Sequence, residues 1–176
     1  MAKVKIPAGI TPEIILEVRN ILLKVLKDLD CAKGMWVTTR LNETGRKDPS
    51  PLFVGWVQHR DLIAKRVQNN EPDPGLFRFG DDHYSKLYED CLQNPGSVRK
   101  RDWNVDEREH SGKTLDIKAG LMHRRSIAVK LNGGYVGTLN AGFFADPGDK
   151  VNAVMTQWAQ NPNSELVKYL QDNFLF

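Results

Sequence analysis

Two arginines and a tryptophan alternate along one short segment, and this spacing is suited to binding an anion. The run RKRDWNV begins at Arg99, so in an extended strand Arg99, Arg101 and Trp103 point to the same side. A guanidinium group binds a carboxylate or a phosphate through two parallel hydrogen bonds. If helices cover this side, the sequence predicts a buried anion site. If the side is open to solvent, it predicts an ordinary charged surface.

Basic residues beside an aromatic residue are also typical of nucleic-acid binding, because cations contact phosphates and aromatic rings stack on bases. Acidic residues in the same stretch reduce its positive charge: Asp102, Asp106, Glu107 and Glu109. The net charge of the 176-residue chain is only +3, which does not favour nucleic acid by itself. We therefore expect no nucleic-acid partner.

The sequence contains no familiar catalytic or metal-binding motif. It has no nucleophile elbow of a Ser-His-Asp hydrolase, no HExxH pair and no P-loop. Cys31 and Cys91 lie far apart and form neither a CxxC pair nor a zinc pattern. These residues identify no metal and leave any cofactor unknown. Because no apolar run is long enough for a signal peptide or a membrane span, we expect a cytoplasmic protein with two reduced thiols.

Hydrophobic periodicity and turn residues predict helices at both ends of the chain and strands between them. In residues 11–30, Thr11 is a suitable N-cap, Pro12 suits the first helical position, and apolar residues recur every three or four positions. Ser164 is expected to cap the last helix. Strands are predicted at 34–41, 52–59, 98–103, 125–131 and 135–143, and further helices at 61–68, 81–94 and 149–160. The predicted fold class is α+β, one domain over residues 1–176 with a central antiparallel sheet flanked by helices.

The last two predicted strands form a hairpin in the segment RRSIAVKLNGGYVGTLNAGFF, residues 124–144. Gly133 and Gly134 suit a turn that needs positive φ. Gly137 and Gly142 lack side chains, so a helix or a ligand can approach the sheet there, although scaffold packing is the commoner reason for such glycines.

The wider segment IKAGLMHRRSIAVKLNGGYVGTLNAGFF, residues 117–144, resembles the closing segment of a GAF domain. In that family, a Gly-containing helix end precedes a strand of small and apolar residues, a Gly-rich turn, a G-x-L-N strand and a terminal helix. The matching features here are Ala119-Gly120, residues 126–129, Gly133-Gly134 and residues 137–140. Lys130 departs from the family pattern, which has proline or a similar break near the end of the first strand, and we expect Lys130 to face solvent. The resemblance implies a GAF/PAS-like sheet.

The resemblance also implies a sensory or regulatory domain that binds a small molecule between the sheet and the segments covering one face, here residues 61–94 and 105–123. A structural dimerisation module is one alternative. An enzyme that uses His123 with the Arg99 and Arg101 side on a small acidic substrate is another. Sulfoxide reductases of this fold need a cluster of cysteines, which argues against that activity. Bilin-carrying relatives usually have histidine after the attachment cysteine, whereas Leu92 follows Cys91.

The implied ligand-binding residues combine aromatic walls with convergent polar groups. They are Trp56, Tyr84, Tyr88, Arg99, Arg101, Trp103, His123 and Asn140. Each has a structural alternative, because tryptophans in strands fill cores and Tyr84 and Tyr88 share a helical face that can pack on the sheet. His123 is expected in a basic loop before two arginines. Asn140 either satisfies backbone groups or points into a cavity.

The apolar surface of residues 11–30 is wider than one stripe, since Ile21 and Leu23 extend it. In the family it resembles, the first and last helices commonly pair and form dimers. We therefore predict a homodimer through the N-terminal helix. The apolar residues 174–176 are expected to lie under that helix or against another subunit. The initial methionine and the helical end favour a complete chain.

Overall fold

Five strands form one antiparallel sheet in the computed structural model, which describes residues 11–29, 36–41, 52–58, 86–105, 117–118 and 120–173. The strand order is β2-β1-β5-β4-β3, and every neighbouring pair is antiparallel. The elements are α1 (Pro12–Leu29), β1 (Trp36–Leu41), β2 (Leu52–Gln58), α2 (Lys86–Gln93), β3 (Arg99–Asp102), β4 (His123–Leu131), β5 (Gly134–Phe143), α3 (Lys150–Gln160) and α4 (Glu165–Asn173). This arrangement confirms the predicted α+β class.

Two helices begin at the hydroxyl residues that the sequence predicts. The Thr11 hydroxyl accepts a hydrogen bond from the Ile14 N–H (3.3 Å), which satisfies one of the unpaired donors at the start of α1. The Ser164 hydroxyl accepts from the Val167 N–H (3.1 Å) at the start of α4. The predicted helix at 61–68 and the apolar residues 174–176 lie outside the described residues.

One face of the sheet carries the hydrophobic core, and α1, α3 and α4 pack on it. The core combines helical residues with alternate residues of the strands, including Val18, Leu22, Val25, Val37, Ile127, Val129, Leu139, Ala141, Phe143, Met155, Leu166 and Leu170. Polar contacts join the helices at the rim. The Trp158 indole N–H donates to Asp28 (3.0 Å), and Lys24 pairs with Glu165 (2.7 Å).

The β4–β5 hairpin turns at Asn132 and Gly133, which have φ values of 48° and 81°. Leu131 and Gly134 are paired across the ladder, so only two residues form the loop. Two successive positive φ values match the type I′ turn, for which Asn-Gly is a preferred sequence. The prediction of positive φ at Gly133 is confirmed. The prediction for Gly134 is wrong, because Gly134 already belongs to β5.

Two other boundaries differ from the sequence predictions. His123 begins β4 instead of lying in a loop, because it pairs with Asp102 on one side and Phe143 on the other. Trp103 lies in the turn after β3 instead of in the strand. The strand ends there because the Asp102 carboxylate accepts the Asn104 N–H (2.9 Å) and bends the chain. Lys130 is exposed, as expected.

No helix in the described ranges is both long enough and apolar enough to cross a bilayer.

Candidate functional site

The two faces of the sheet differ sharply in polarity. In the described residues, the buried polar or charged side chains are Arg101, Arg124, Arg125, Ser126, Thr138 and Asn140. All of them except Arg125 lie on the face opposite to the hydrophobic core, because side chains alternate along each strand and Ile127, Leu139 and Ala141 belong to the core. We call this side, defined by Arg101, Arg124, Ser126, Thr138 and Asn140, the polar face.

A pair of buried arginines dominates the polar face. Arg101 in β3 lies directly opposite Arg124 in β4, and they are only 1% and 3% exposed. The Arg101 guanidinium carbon lies 4.2 Å from the centroid of the Trp103 ring, within the range of a cation–π contact. Trp103 is itself buried. Arg101 and Trp103 are thus in contact, as the predicted grouping required, although Trp103 lies in the turn after β3 and not in the strand.

Hydrogen-bonding groups continue across the polar face from the arginines. Ser126 lies opposite Arg99 in β3 and opposite Asn140 in β5, so these three positions form a row across the sheet. The Asn140 amide donates to the Thr138 hydroxyl (3.0 Å). Ser126 is fully buried, and its hydroxyl makes no hydrogen bond to any residue that the structure describes. A buried hydroxyl without a partner costs free energy.

Helix α2 packs on β3, β4 and β5. Asp90 of α2 accepts a hydrogen bond from Arg99 Nε (2.8 Å), which ties the helix to the row described above. Cys91 is fully buried and does not belong to the main core cluster. Helix α2 therefore covers part of the polar face. Most of the predicted covering segments, 61–94 and 105–123, lies outside the described residues.

A second charged cluster lies at the start of β4, on the side of the core. Asp146 Oδ1 accepts hydrogen bonds from the Gly148 N–H (2.9 Å) and from Arg125 Nη2 (2.7 Å). The pKa of the Asp146 carboxyl is lowered from 3.8, first by the Gly148 N–H and then by Arg125 and His123. The pKa of Asp102 is lowered in the same direction, mainly by the Asn104 N–H. His123 thus lies near two carboxylates.

A groove of about 310 Å³ follows the outer edge of β3. Its charged lining residues are Asp90, Arg99, Lys100, Arg125 and Asp149. Both of its arginines already bind carboxylates, Arg99 to Asp90 and Arg125 to Asp146. The groove therefore presents charges of both signs, and its two arginines are paired with carboxylates.

The structure brings together four of the predicted site residues: Arg99, Arg101, Trp103 and Asn140. His123 lies on the opposite side of the sheet, since its ladder partner Phe143 belongs to the core. For the remaining predicted site residues, the structure describes either the backbone alone or nothing. Trp56 is paired in the ladder with Thr38, which is paired with Asn140, but its side chain is outside the description. Tyr88 lies in α2 with its side chain likewise undescribed, and Tyr84 and Cys31 lie outside the described residues.

Sequence reasoning missed Arg124 and Ser126. The predicted start of the strand at residue 125 left Arg124 in a loop, whereas Ser126 lay inside the predicted strand but was not named as a site residue. Extending the strand back to His123 would have placed Arg124, Ser126 and Ala128 on one side by simple alternation. The signal was therefore present, but a doubled arginine is more often read as solvent-exposed.

The fold has counterparts among solved structures, although no family model and no curated protein sequence matches the chain. The GAF domain of a two-component sensor histidine kinase from Bacillus halodurans superposes with a TM-score of 0.56 at 12% identity, covering 86% of this chain and 94% of that one. A type II free methionine-R-sulfoxide reductase from Thermoplasma acidophilum gives 0.56 at 12% identity, covering 93% and 98%. A red/green cyanobacteriochrome in its red light-absorbing state gives 0.59 at 13% identity, covering 91% and 95%.

These three proteins share an architecture with the chain, while their identities are too low to carry a function across. The antiparallel sheet, the terminal helices on one side and the element order agree with the resemblance seen in residues 117–144. The chain therefore has a GAF-like fold.

Proposed function

We propose that this chain is a regulatory domain that binds a small molecule on the polar face of its sheet. The observation that carries the proposal is the buried, polar character of that face. Five buried polar side chains lie side by side there, whereas the core of the same sheet is almost entirely apolar on its other face.

The cost of burial supports a binding role over a scaffold role. Guanidinium, hydroxyl and amide groups lose free energy on leaving water unless they gain partners. The Ser126 hydroxyl is fully buried and has no hydrogen-bond partner in the part of the chain that the structure describes, so packing alone does not call for it. Ligand sites characteristically combine such convergent polar groups with aromatic walls, and Trp103 supplies an aromatic surface beside Arg101.

The sensory part of the proposal is an analogy with two of the similar folds. One of the matching structures is a GAF domain of a two-component sensor histidine kinase, and another is a red/green cyanobacteriochrome in its red light-absorbing state. The reductase match has the same fold but favours no reaction here. Cys91 is buried in α2 and His123 lies away from the polar face, so the described residues favour binding over catalysis.

Native mass spectrometry tests this proposal. The purified protein would be incubated with a library of metabolites that includes neutral, cationic and anionic compounds. We expect at least one 1:1 non-covalent adduct that weakens in Asn140→Leu, which removes the buried amide, and persists in Lys168→Gln, which changes an exposed residue of α4. No adduct across the library, or equal adducts in both variants, would overturn the proposal.

The second part of the proposal concerns the partner: a second copy of the chain bound through α1. Leu16 and Leu23 are 52% and 40% exposed, and seven residues place them on one line along the helix, about 10 Å apart. Glu13 lies near the start of the same exposed side and Lys27 near its end. An antiparallel two-fold arrangement centred near Asn20 would set Leu16 against Leu23 and Glu13 against Lys27. Such self-complementarity is what a two-fold dimer requires.

A further inference from the structure

The Ser126 hydroxyl differs from the other polar groups on the polar face. Ser126 is completely buried, and its Oγ makes no hydrogen bond to any residue that the structure describes. The Asn140 amide, by contrast, donates to the Thr138 hydroxyl (3.0 Å). Arg101 and Arg124 both have interaction partners as well. Buried polar groups in native proteins are nearly always hydrogen-bonded, so an exception calls for a partner such as a water or a ligand.

Ser126 also lies at a central position of the sheet. β4 lies between β3 and β5, and Ser126 is paired with Arg99 on one side and with Asn140 on the other. Arg99 donates to Asp90 of α2 (2.8 Å), so α2 lies at the β3 end of this row. Through Asn140 the row continues to Thr38 in β1. A group bound to Ser126 therefore lies over the middle of the polar face and not at its rim.

We infer that the ligand of the polar face carries an uncharged oxygen acceptor, the carbonyl of a ketone, an amide or an ester, and that this oxygen accepts a hydrogen bond from the Ser126 hydroxyl. The inference rests on the proposed function and specifies the chemistry of its ligand. A carbonyl oxygen has two lone pairs and no hydrogen, so it satisfies the donor of the hydroxyl directly. The bond restores the free energy that the hydroxyl loses when it is buried without a partner.

The surroundings of Ser126 favour an acceptor over a donor on the ligand. None of the described strand residues on the polar face is acidic, so these strands offer no carboxylate to a ligand donor. The Thr138 hydroxyl already accepts from Asn140. Amide and guanidinium side chains, which are rich in N–H groups, make up most of the remaining buried polar surface of this face. A carbonyl oxygen matches such surroundings better than a second donor does.

An anion fits this position less well, although the spacing of Arg99 and Arg101 suggested one. Arg99 binds Asp90. Arg101 and Arg124 have interaction partners too, so an anion would have to compete for each of the three arginines. Moving a carboxylate out of water also costs far more free energy than moving a carbonyl group. Since the arginines are engaged, an uncharged oxygen is the better match.

A buried water is the competing partner of Ser126. Such waters typically make about three hydrogen bonds to otherwise unsatisfied polar groups. Asn140 and Thr138, on the same face, already bond to each other, which leaves them less suited to hold a water beside Ser126. The two alternatives differ in their consequences: a structural water contributes to the stability of the free protein, whereas a ligand carbonyl contributes only when the ligand is bound.

Titrations followed by ¹H–¹⁵N NMR test the inference with probes of one ring size. Cyclohexanone and δ-valerolactam carry a carbonyl, while cyclohexanecarboxylate is an anion, and all would be added at constant ionic strength. We expect saturable shifts centred on the amides of Ser126 and Asn140 with at least one carbonyl probe, and weaker binding of the carboxylate. Ser126→Ala should weaken the carbonyl binding by roughly two- to tenfold. Thr156→Val is the matched control, because it removes a hydroxyl of α3 that already donates to the Asn152 carbonyl (2.8 Å), and it should leave binding unchanged.

Thermal unfolding without ligand separates a binding role of Ser126 from a structural one. Ser126→Ala removes a buried hydroxyl that has no hydrogen-bond partner in the described residues. We therefore expect the melting temperature of the free protein to stay the same or to rise. A clear fall would show that the hydroxyl is bonded within the protein or to a structural water, and would overturn the inference.

Other outcomes would also overturn it. These are the absence of saturable shifts with both carbonyl probes, tighter binding of the carboxylate at the same amides, or equal carbonyl binding by Ser126→Ala. The library screen separates this inference from the proposed function. A library compound whose binding weakens in Asn140→Leu but not in Ser126→Ala would reject the Ser126 contact and keep the binding role, whereas failure of all compounds would reject both.

Discussion

Arg124 and Arg125 are neighbours in sequence, yet they serve opposite sides of the sheet. Arg124 contributes to the polar face, while Arg125 reaches Asp146 after β5 on the other side. The alternation of a strand makes this separation inevitable once the strand includes both residues. The face on which Arg101 and Asn140 lie follows from the same alternation, whereas Trp103 lies in the turn after β3. The burial of Arg101 and Arg124 was not predictable, because a run of charged residues is equally typical of a solvent-exposed surface.

The Asp146 carboxylate gives a pH-dependent prediction. Its pKa lies below the unfolded value of 3.8 because the Gly148 N–H and Arg125 bind the ionised form. Such a group stabilises the folded state fully above pH 3.8, and this contribution is lost as the pH falls through the lower, folded pKa. The stability difference between wild type and Asp146→Asn should therefore be constant near neutral pH and shrink below about pH 4. Urea unfolding between pH 2.5 and 7 measures it, and a difference independent of pH would refute this account.

The hairpin between β4 and β5 is the element that holds the polar face in register. The sequence predicted its turn at Gly133-Gly134, one residue too late, because the two positive φ values lie at Asn132 and Gly133, a pair that suits a type I′ turn. The exact register could not be predicted from the sequence. The pairing of β4 with β5 shifts by one residue between Val129 and Lys130, since Val129 pairs with Gly137 and Lys130 with Tyr135. A bulge of that kind depends on the fit of the whole sheet and leaves little trace in sequence.

Substitution of the turn glycine tests this assignment. A Cβ at Gly133 meets no neighbour within 4 Å, but φ is +81°, so Gly133→Ala forces a side chain into the left-handed region. We expect the free energy of unfolding to fall by about 1–2 kcal/mol. Gly96→Ala is the matched control, because that position is also open and lacks a positive φ. It should be nearly neutral. Equal effects of the two substitutions in urea unfolding would contradict the turn geometry.

The start of α4 offers a second test at the scale of an element. The Ser164 hydroxyl accepts from Val167 N–H and donates to the Trp158 carbonyl (2.8 Å), which links α4 to α3. Ser164→Ala should lower the free energy of unfolding by about 1 kcal/mol. Ser97→Ala, in an exposed turn, is expected to change it by less than about 0.5 kcal/mol. If thermal or urea unfolding ranks the two variants in the reverse order, the capping role is wrong.

At the scale of the whole molecule, the five-stranded sheet that the described residues form has one apolar face and one polar face. The α+β class and most strand positions followed from sequence, because turn residues separate short β-branched runs and helical periodicity marks both ends. The polar character of one face could not be predicted from the sequence, because it depends on which strands are neighbours in the sheet. β3 and β4 are separated by 20 residues in sequence, from 103 to 122, yet pair Arg101 with Arg124.

The proposed dimer through α1 concerns the whole molecule. If α1 forms an antiparallel dimer, Leu23→Glu buries a charge at the interface and should yield a monomer in light scattering. Tyr135→Glu is the matched control, because Tyr135 is an equally exposed large side chain on β5 (40%). It should leave the dimer intact. A monomeric wild type, or a dimer that survives Leu23→Glu, would reject this interface.

Charge exchange tests the direction of the two helices. In the antiparallel arrangement Glu13→Lys sets two lysines against each other, so the dimer dissociation constant should rise. The double variant Glu13→Lys with Lys27→Glu restores opposite charges and should recover most of the loss. In a parallel arrangement, like residues face each other in every variant, so no such recovery would occur. Sedimentation at low salt measures both constants, since exposed ion pairs are screened at high salt.

The most direct test of the central claim is to locate a bound compound on the sheet. Any compound that binds in the mass-spectrometric screen would be titrated into ¹⁵N-labelled protein and its chemical-shift changes mapped. We predict the largest changes at Arg124, Ser126 and Asn140 and at the indole N–H of Trp103. Changes confined to the surfaces of α1, α3 and α4, or to the groove along β3, would contradict it.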